Sequence, residues 1–272
     1  MPLSINTNIA SMTAQRSFLN SNSALETAFE RLSTGKRINS ASDDAAGLAI
    51  GTDLQSRVSG LNQAVRNVND GISMIQITEG AYSEVTSILQ RMRDLAVQGA
   101  SGALHATEIS YLDTEQSKLA DALGTVLNQA KFGNTDLVGG AISKTIHAGA
   151  DIADTVSIAL STTDVDTAAN LTVNAGAITI GNTAAITKID AALDAVASHR
   201  ATLGAQQAQL ESTVRNLSNV AENTAAAAGR IMDTDYAAET ANLTKAQILQ
   251  QAATSILAQA NAQPQAVLAL LQ

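Results

Sequence analysis

The chain has 272 residues, of which 45% are apolar and only 2% aromatic, and its formal net charge is −9. It contains no cysteine, which excludes disulfides and cysteine-ligated metals. Its basic residues are scattered rather than concentrated in the patch typical of nucleic-acid binders, so no nucleic-acid partner is expected. Because aromatic side chains supply much of the buried area of globular cores, their scarcity favours narrow helix-to-helix seams.

Two further features bear on where the protein works. No apolar run approaches the length needed to cross a bilayer, so no membrane partner is expected. The N-terminus has no basic region followed by an apolar stretch, so we expect no cleaved secretory signal. Such a protein stays in the cytosol or leaves by a route that needs no cleaved signal.

An amphipathic helix is predicted near the N-terminus, where four apolar residues follow the i, i+3, i+4, i+7 spacing. They are Leu25, Ala28, Phe29 and Leu32. Gly35 is predicted to end this helix.

The next stretch, "RLSTGKRINSASDDAAGLAI", is predicted to be a joint between two helices. A polar connector begins at Asn39 and ends at Ser42, and the following helix starts between Ser42 and Asp44. Asp43 and Asp44 are predicted to cap that helix and to complement its dipole.

A sustained heptad repeat follows, in which ten of thirteen positions are apolar when the chain is stepped alternately by four and three residues. The positions are Leu54, Val58, Leu61, Val65, Val68, Ile72, Ile75, Glu79, Tyr82, Thr86, Leu89, Arg93 and Ala96. The repeat predicts a helix over about residues 44–99, roughly 84 Å long at 1.5 Å per residue. A second helix is predicted over about 106–129, with Glu108 in its first turn.

Residues 132–190 change character and predict a small β-rich insert. The segment "SKTIHAGADIADTVSIAL" predicts two short strands joined by a turn, and "LTVNAGAITIGN" predicts another hairpin. The segment "KFGNTDLVGG" is rich in turn residues, and the helical pattern returns by Ala185.

The C-terminal part repeats the heptad pattern at Leu203, Gln207, Leu210, Val214, Leu217, Ala221, Thr224 and Ala228. A narrower apolar stripe continues at Leu249, Ala252, Ala253, Ile256 and Ala260 and reaches Val267 and Leu270. We therefore expect a mainly α fold, a long antiparallel helical bundle or coiled coil in which the N- and C-terminal halves pair, with a small β-hairpin insert.

No arrangement of residues predicts catalysis. "STGKR" is not a phosphate-binding loop, because Glu30 stands where that loop needs its first glycine and Arg37 follows the Gly-Lys pair. The histidines at 105, 147 and 199 lack the HExxH spacing of zinc proteases and are expected to be exposed polar residues. We predict neither an enzyme nor a cofactor.

Several long motifs occur in order along the chain. The N-terminal ones are "SINTNIASMTAQR", "LSTGKRINSASDDAAGLAI", "LNQAVRNVNDGISMIQITEGA" and "ILQRMRDLAVQGA"; the C-terminal ones are "RATLGAQQAQLESTVRNL", "RIMDTDYAAETANLTKAQILQQA" and "ILAQANAQPQAVLALL". In these motifs the chain resembles the bacterial flagellins, with a much reduced central region. The resemblance covers roughly residues 3–140 and 185–271.

The resemblance implies a structural subunit that polymerises into the flagellar filament used for swimming, and an extracellular location. It implies an inner-core coiled-coil domain at 1–40 and 236–272, an outer-core helical domain at 41–140 and 185–235, and an insert at 141–184. The implied partners are further copies of the chain, the flagellar export apparatus and its chaperone, and the cap and hook-filament junction proteins.

The resemblance also implies particular site residues. Those for polymerisation in the inner core are Ile5, Ile9, Met12, Leu25, Phe29, Leu32, Leu249, Ile256, Leu257, Val267, Leu268 and Leu270. A host toll-like receptor is a further implied partner, and "QRMRDLAVQ" carries its motif, with Arg91 and Leu95 as contacts and Glu115 on the neighbouring helix.

Two other readings stay open at this point. One is a hook-filament junction protein, which shares the terminal helices. The other is an adhesive surface protein on a flagellin-like scaffold, although the central region lacks the aromatic residues that usually stack on sugars.

Overall fold

The computed structural model describes residues 7–138, 141–161, 180 and 183–269. Their helices and strands are, in chain order, α1 Ile9–Thr34, α2 Ala45–Gly99, α3 Ala106–Gln129, β1 Lys131–Phe132, β2 Thr135–Asp136, β3 Ile142–His147, β4 Thr155–Ser161, α4 Thr183–Met232 and α5 Tyr236–Ala269. The prediction of a mainly helical fold with a small antiparallel insert is confirmed.

Two compact units divide the chain. The first consists of Met1–Ser56 with Asn223–Gln272, and it holds α1, α5, the start of α2 and the end of α4. The second, Arg57–Glu222, holds the rest of α2 and α4 together with α3 and the strands. In both units, segments far apart in sequence pack side by side.

The second unit is built on a buried heptad stripe of α2. The stripe comprises Leu61, Ala64, Val68, Gly71, Ile75, Thr78, Tyr82, Val85, Leu89, Met92, Ala96 and Gly99. The stripe has two rows, each with one residue every seven positions. The row from Leu61 to Ala96 was predicted. The prediction for the other row was wrong by one residue: it chose Val65 and Ile72, which lie half-buried on the flank, instead of their buried neighbours Ala64 and Gly71.

Helix α4 packs antiparallel to α2 in this unit. Arg200 donates from Nη2 to the Glu79 Oε1 atom at 2.7 Å, and Arg93 donates from Nε to Asp190 Oδ1 at 2.6 Å. All eight predicted heptad positions of α4 are buried or half-buried, and the six from Leu203 to Ala221 lie in this unit. The predicted pairing of N- and C-terminal halves is therefore confirmed in this unit.

Strands β3 and β4 pair antiparallel, from Ile142 opposite Ser161 to His147 opposite Thr155, which confirms the first predicted hairpin. Strands β1 and β2 form a two-residue hairpin that the turn-rich sequence did not predict. The second predicted hairpin, at 171–182, lies outside the described residues apart from Ile180.

The β3–β4 hairpin is held on the helices by buried polar groups. His199 of α4 is only 4% exposed, so the expectation of an exposed histidine is wrong for this residue. Its Nε2 atom lies 2.9 Å from the Leu160 carbonyl oxygen, and its ring forms a T-shaped contact with the Tyr82 ring, with centroids 5.3 Å apart. The Gln206 amide, oriented by its partners, pairs with both the N–H and the C=O of Ala159 at 3.2 Å. These groups satisfy strand backbone that a two-stranded sheet leaves unpaired.

Candidate assembly surface and inter-helix joint

Helices α1 and α5 form an antiparallel pair in the first unit. Asn8 donates to the Ala260 carbonyl at 2.7 Å, and Gln250 donates to Asn22 Oδ1 at 3.0 Å. The Arg31 guanidinium lies 3.8 Å from the Glu239 carboxylate. As the α1 residue number rises from 8 to 31 in these three contacts, the number of its α5 partner falls from 260 to 239. The two helices are therefore antiparallel.

Small residues form the seam of this pair. The buried apolar positions are Ala14 and Ala28 of α1 and Ala246, Ala253 and Ala260 of α5. The spacing of seven or fourteen residues between them keeps each set on one helix face. Because alanine projects little beyond the backbone, the seam buries little apolar area and leaves larger side chains elsewhere.

Large apolar side chains of the pair point to solvent instead. They are Ile9 (69% exposed), Met12 (57%), Leu19 (60%), Phe29 (51%), Ile248 (60%), Leu249 (47%) and Ile256 (54%). We call these seven residues the apolar surface. Such a concentration of exposed apolar side chains marks an interaction site more often than a solvated face.

The predicted polymerisation residues divide between the two regions. Five of them, Ile9, Met12, Phe29, Leu249 and Ile256, belong to the apolar surface. Three of them, Leu25, Leu32 and Leu257, are half-buried at the edge of the seam. Ile5 and Leu270 lie outside the described residues, and so do the side chains of Val267 and Leu268.

The first joint of the chain ends α1 and begins α2. Gly35 adopts a left-handed conformation with φ of 71°, and its N–H donates to the Arg31 carbonyl, which confirms that it ends the helix. Asp44 Oδ1 accepts from the Gly47 N–H at 2.9 Å, so this residue caps α2 as predicted.

The prediction that Asp43 caps α2 is wrong. Its Oδ2 atom accepts from the backbone N–H groups of Ser40, at 2.9 Å, and Asn39, at 3.1 Å, so it folds the connector back on itself. These bonds hold the pKa of the Asp43 carboxyl below its ordinary value. Ser42 lies in the turn before the helix, with its hydroxyl 2.7 Å from that of Ser40.

A second joint connects α4 to α5, and hydrogen bonds link it to the joint between α1 and α2. The Thr234 N–H donates to the Gly35 carbonyl at 3.0 Å, and Lys36 and Asp233 form an isolated antiparallel bridge. Arg37 donates its N–H to the Met232 carbonyl at 2.7 Å and its Nη2 to the Ile231 carbonyl at 2.8 Å. We call residues 35–37 and 231–234 the clasp.

The clasp was missed at the sequence level, although its first half includes the Gly-Lys-Arg triplet. The two halves are 194 residues apart at the Arg37–Ile231 bond, and the bonds use mostly backbone atoms. Backbone atoms leave no signature in a side-chain pattern. The glycine and the basic pair were the only available signals.

The structure brings two of the three predicted receptor-binding residues together. Arg91 donates to Glu115 Oε1 from Nη2 at 2.6 Å and from Nε at 3.0 Å, and both side chains are exposed. Leu95 is 1% exposed and lies in the core of the second unit. Its side chain therefore presents no surface to a partner in this conformation.

The described residues contain no cluster of three or more histidine, aspartate or glutamate side chains arranged to hold a metal ion. Among those residues, no helix is both long and apolar enough to cross a membrane.

Two protein-family models match separate parts of the chain. The models of the bacterial flagellin N-terminal and C-terminal helical regions match residues 5–143 and 186–271. The chain belongs to the bacterial flagellin family. Flagellins are structural proteins rather than enzymes, and this one is a subunit that polymerises into the flagellar filament.

Individual relatives agree over the full chain. The flagellin of Halalkalibacterium halodurans is 42% identical over 272 residues, which covers 98% of this flagellin and 99% of the relative. Flagellin B of Vibrio cholerae is 34% identical over an alignment of 375 residues that covers both chains completely. That alignment is longer than this flagellin, as expected for a short form.

A solved structure is also similar. The crystal structure of Bacillus cereus flagellin matches with 28% identity and a TM-score of 0.46, covering 60% of this flagellin and 94% of that chain.

Proposed function

We propose that the α1–α5 pair forms the inner layer of the filament and supplies its main contacts between subunits through the apolar surface. The exposure of this surface carries the proposal. Large apolar side chains left in water cost free energy, which burial against neighbouring copies recovers at about 25 cal/mol per Å². The chain places small residues inside the pair and large ones outside it, which suits a surface that is covered after assembly.

A charged substitution on the apolar surface tests this role. Ile256 is 54% exposed, so replacing it leaves the seam of the pair in place. Ile256→Glu is expected to abolish extension of short filament seeds, because a buried unpaired carboxylate is strongly unfavourable. Extension is measured by negative-stain electron microscopy. Leu257 is less suitable for this test, because it is half-buried at the seam and its loss would disturb the pair itself.

The matched control is Ile256→Leu, which keeps the apolar volume and should extend seeds normally. Circular dichroism of both variants should match the unmodified chain. If Ile256→Glu extended seeds as well as Ile256→Leu, the apolar surface would not be the contact between subunits.

The remaining parts of the chain are proposed to form two further domains. Residues 41–140 and 185–235 are proposed as the outer-core domain, and 141–184 as a small insert. Support comes from the long paired helices α2 and α4, whose seam positions are filled within the chain.

From membership in the flagellin family we also propose secretion without a cleaved signal peptide. The proposed partners during export and assembly are the export apparatus with its chaperone, and then the cap and hook-filament junction proteins. The junction-protein and adhesive readings have no better support.

A second proposed partner is the host toll-like receptor that senses flagellin. The exposed Arg91–Glu115 pair favours it, because exposed ion pairs contribute little to stability and leave charged groups available to a partner. We expect Arg91→Ala to lower the signal of receptor reporter cells treated with monomer. Lys118→Ala, which changes an exposed basic residue on α3, is the control. Equal signals from both variants would remove Arg91 from the proposal.

A further inference from the structure

Strand β4 has an outer edge that faces away from β3, its partner in the two-stranded sheet. In an antiparallel pair, alternate residues direct both their N–H and their C=O toward the partner strand, and the residues between them direct both groups away from it. The Ala159 N–H and C=O point away from β3, because both pair with the Gln206 amide of α4. The neighbouring Leu160 is fully buried, so backbone groups at this edge need partners within the protein.

The Gln206 amide has the donor and the acceptor of a peptide group. Its nitrogen donates to the Ala159 carbonyl at 3.2 Å, and its oxygen accepts from the Ala159 N–H at 3.2 Å. A residue of a neighbouring antiparallel strand would exchange the same two bonds. Gln206 therefore pairs with β4 as a residue of a third strand would.

Strand β4 also carries an extra residue at this point. Ser161 pairs with Ile142 and Ala159 pairs with Ser143, so Leu160 between them has no partner residue on β3. Such a bulge leaves the backbone of the extra residue unpaired. The Leu160 carbonyl instead lies 2.9 Å from His199 Nε2, and this nitrogen must carry a proton because a carbonyl only accepts.

His199 and Gln206 are seven residues apart and so lie on one face of α4. A slide of the hairpin by two residues would preserve which of its faces is buried. One such slide would set Gln206 against Ser157 and His199 against Ile158, whose backbone groups point toward β3 in the regular ladder. A slide in the other direction would carry the position opposite His199 past the end of β4. Only the observed position gives both side chains a backbone partner on the strand.

We propose that His199 and Gln206 together replace a third strand on the outer edge of β4 and fix the position of the hairpin along α4. Gln206 supplies the paired bonds, and His199 recognises the bulge. The Ala159 backbone groups are then not available to a strand of another chain. This role concerns the single chain and does not rest on polymerisation.

Hydrogen exchange of the full-length monomer, resolved to single amides by fragmentation in the mass spectrometer, tests the role of Gln206. The Ala159 N–H should be protected although it points away from β3. Gln206→Met keeps an unbranched side chain of similar length without the amide, so exchange at Ala159 should become about ten- to hundredfold faster. Gln206→Glu sets a carboxylate oxygen against the Ala159 carbonyl and should have a similar effect. Exchange in α3 should be unchanged in both variants.

Gln207→Met is the matched control. Gln207 is the adjacent half-buried glutamine of α4, and its amide donates to Glu211 Oε1 at 3.0 Å rather than to the strand. Its substitution should leave exchange at Ala159 unchanged.

His199 is tested by two substitutions that differ in one donor. His199→Gln keeps an N–H donor at similar reach and should retain most of the protection of the Ala159 amide. His199→Leu fills the space without a donor, so the Leu160 carbonyl loses its partner and exchange at Ala159 should become about three- to tenfold faster.

Three results would overturn the proposal. One is the same exchange rate at Ala159 in Gln206→Met as in Gln207→Met. Another is an equal effect of His199→Gln and His199→Leu, which would mean that the ring acts by packing alone. The third is equally faster exchange in α3 and at Ala159, which would show a general loss of stability instead of a freed strand edge.

Discussion

Gln116 is a buried polar residue of α3, only 3% exposed, and neither amide atom has a hydrogen-bond partner among the residues that the structure describes. A buried unpaired amide costs about 1–3 kcal/mol. Gln116→Leu is therefore expected to raise the free energy of unfolding by about 1–2 kcal/mol. Urea denaturation measures the change as a higher midpoint with an unchanged slope.

Gln90→Leu is the matched control for this prediction, because Gln90 is an exposed glutamine on α2. Its substitution should change the stability by less than about 0.5 kcal/mol. A Gln116→Leu variant no more stable than Gln90→Leu would show that the buried amide is satisfied.

The Asp43 carboxyl makes the stability of the connector between α1 and α2 depend on pH. Backbone N–H groups of Ser40 and Asn39 hold its pKa below the ordinary aspartate value of 3.8. The ionised carboxylate therefore stabilises the connector fully above that ordinary value, and the contribution is lost as the pH falls through the lower folded pKa. A carboxyl-detected NMR titration should show this order. Ser40→Ala removes the hydrogen bond that the Ser40 hydroxyl donates to the same carboxylate at 3.1 Å, so it should raise the pKa of Asp43. Titration at or above 3.8 would contradict the hydrogen-bonded geometry.

The second unit contains a glycine that a strand side chain requires. A Cβ atom at Gly71 of α2 would collide with the Ile146 side chain of β3, whereas one at Gly80 would meet nothing within 4 Å. We expect Gly71→Ala to be less stable than Gly80→Ala by about 1–3 kcal/mol through overpacking. Gly80→Ala should instead stabilise it by up to about 1 kcal/mol, since alanine is the better helix former.

Thermal unfolding of the two alanine variants compares these effects, and a double variant isolates the contact. Ile146→Val removes the colliding methyl group, so Gly71→Ala should cost less in its presence than in its absence. Additive effects of the two changes would rule out the collision as the cause.

Gly71 also illustrates which features of the helices and strands could be predicted from the sequence and which could not. The bounds of α2 and α3 and the β3–β4 hairpin followed from periodicity and turn residues. The buried row of α2 through Ala64, Gly71 and Thr78 was not predicted, because a heptad repeat is recognised in a sequence by its large apolar side chains. At these three positions small residues lie in the interior of the seam, and larger neighbours such as Val65 and Ile72 lie on its flank.

The α1–α5 pair shows this limit more strongly. Its predicted residues, such as Ile9 and Ile256, were chosen for size and periodicity, and they lie on the outside of the pair. The alanines at 14, 28, 246, 253 and 260 hold the inside. Sequence reasoning expected the large residues to matter for assembly, but it could not separate contacts within a chain from contacts between chains. The clasp stayed hidden because it is formed mainly by backbone atoms.

At the scale of the whole molecule, membership in the flagellin family and the exposure of the apolar surface both favour assembly of the chain with further copies of itself. The helical seam of α2 with α4 is filled within the chain, whereas the α1–α5 pair leaves its large apolar residues exposed. This contrast supports the proposal that the exposed apolar surface of the α1–α5 pair is covered by further copies of the chain.

Electron cryo-microscopy of filaments grown from this chain tests that account most directly. A helical reconstruction should show α1 and α5 of each subunit paired in the alignment described, with Ile9, Met12 and Ile256 buried against neighbouring subunits. A filament in which these side chains face water, or in which α1 pairs with α5 of another subunit, would contradict it.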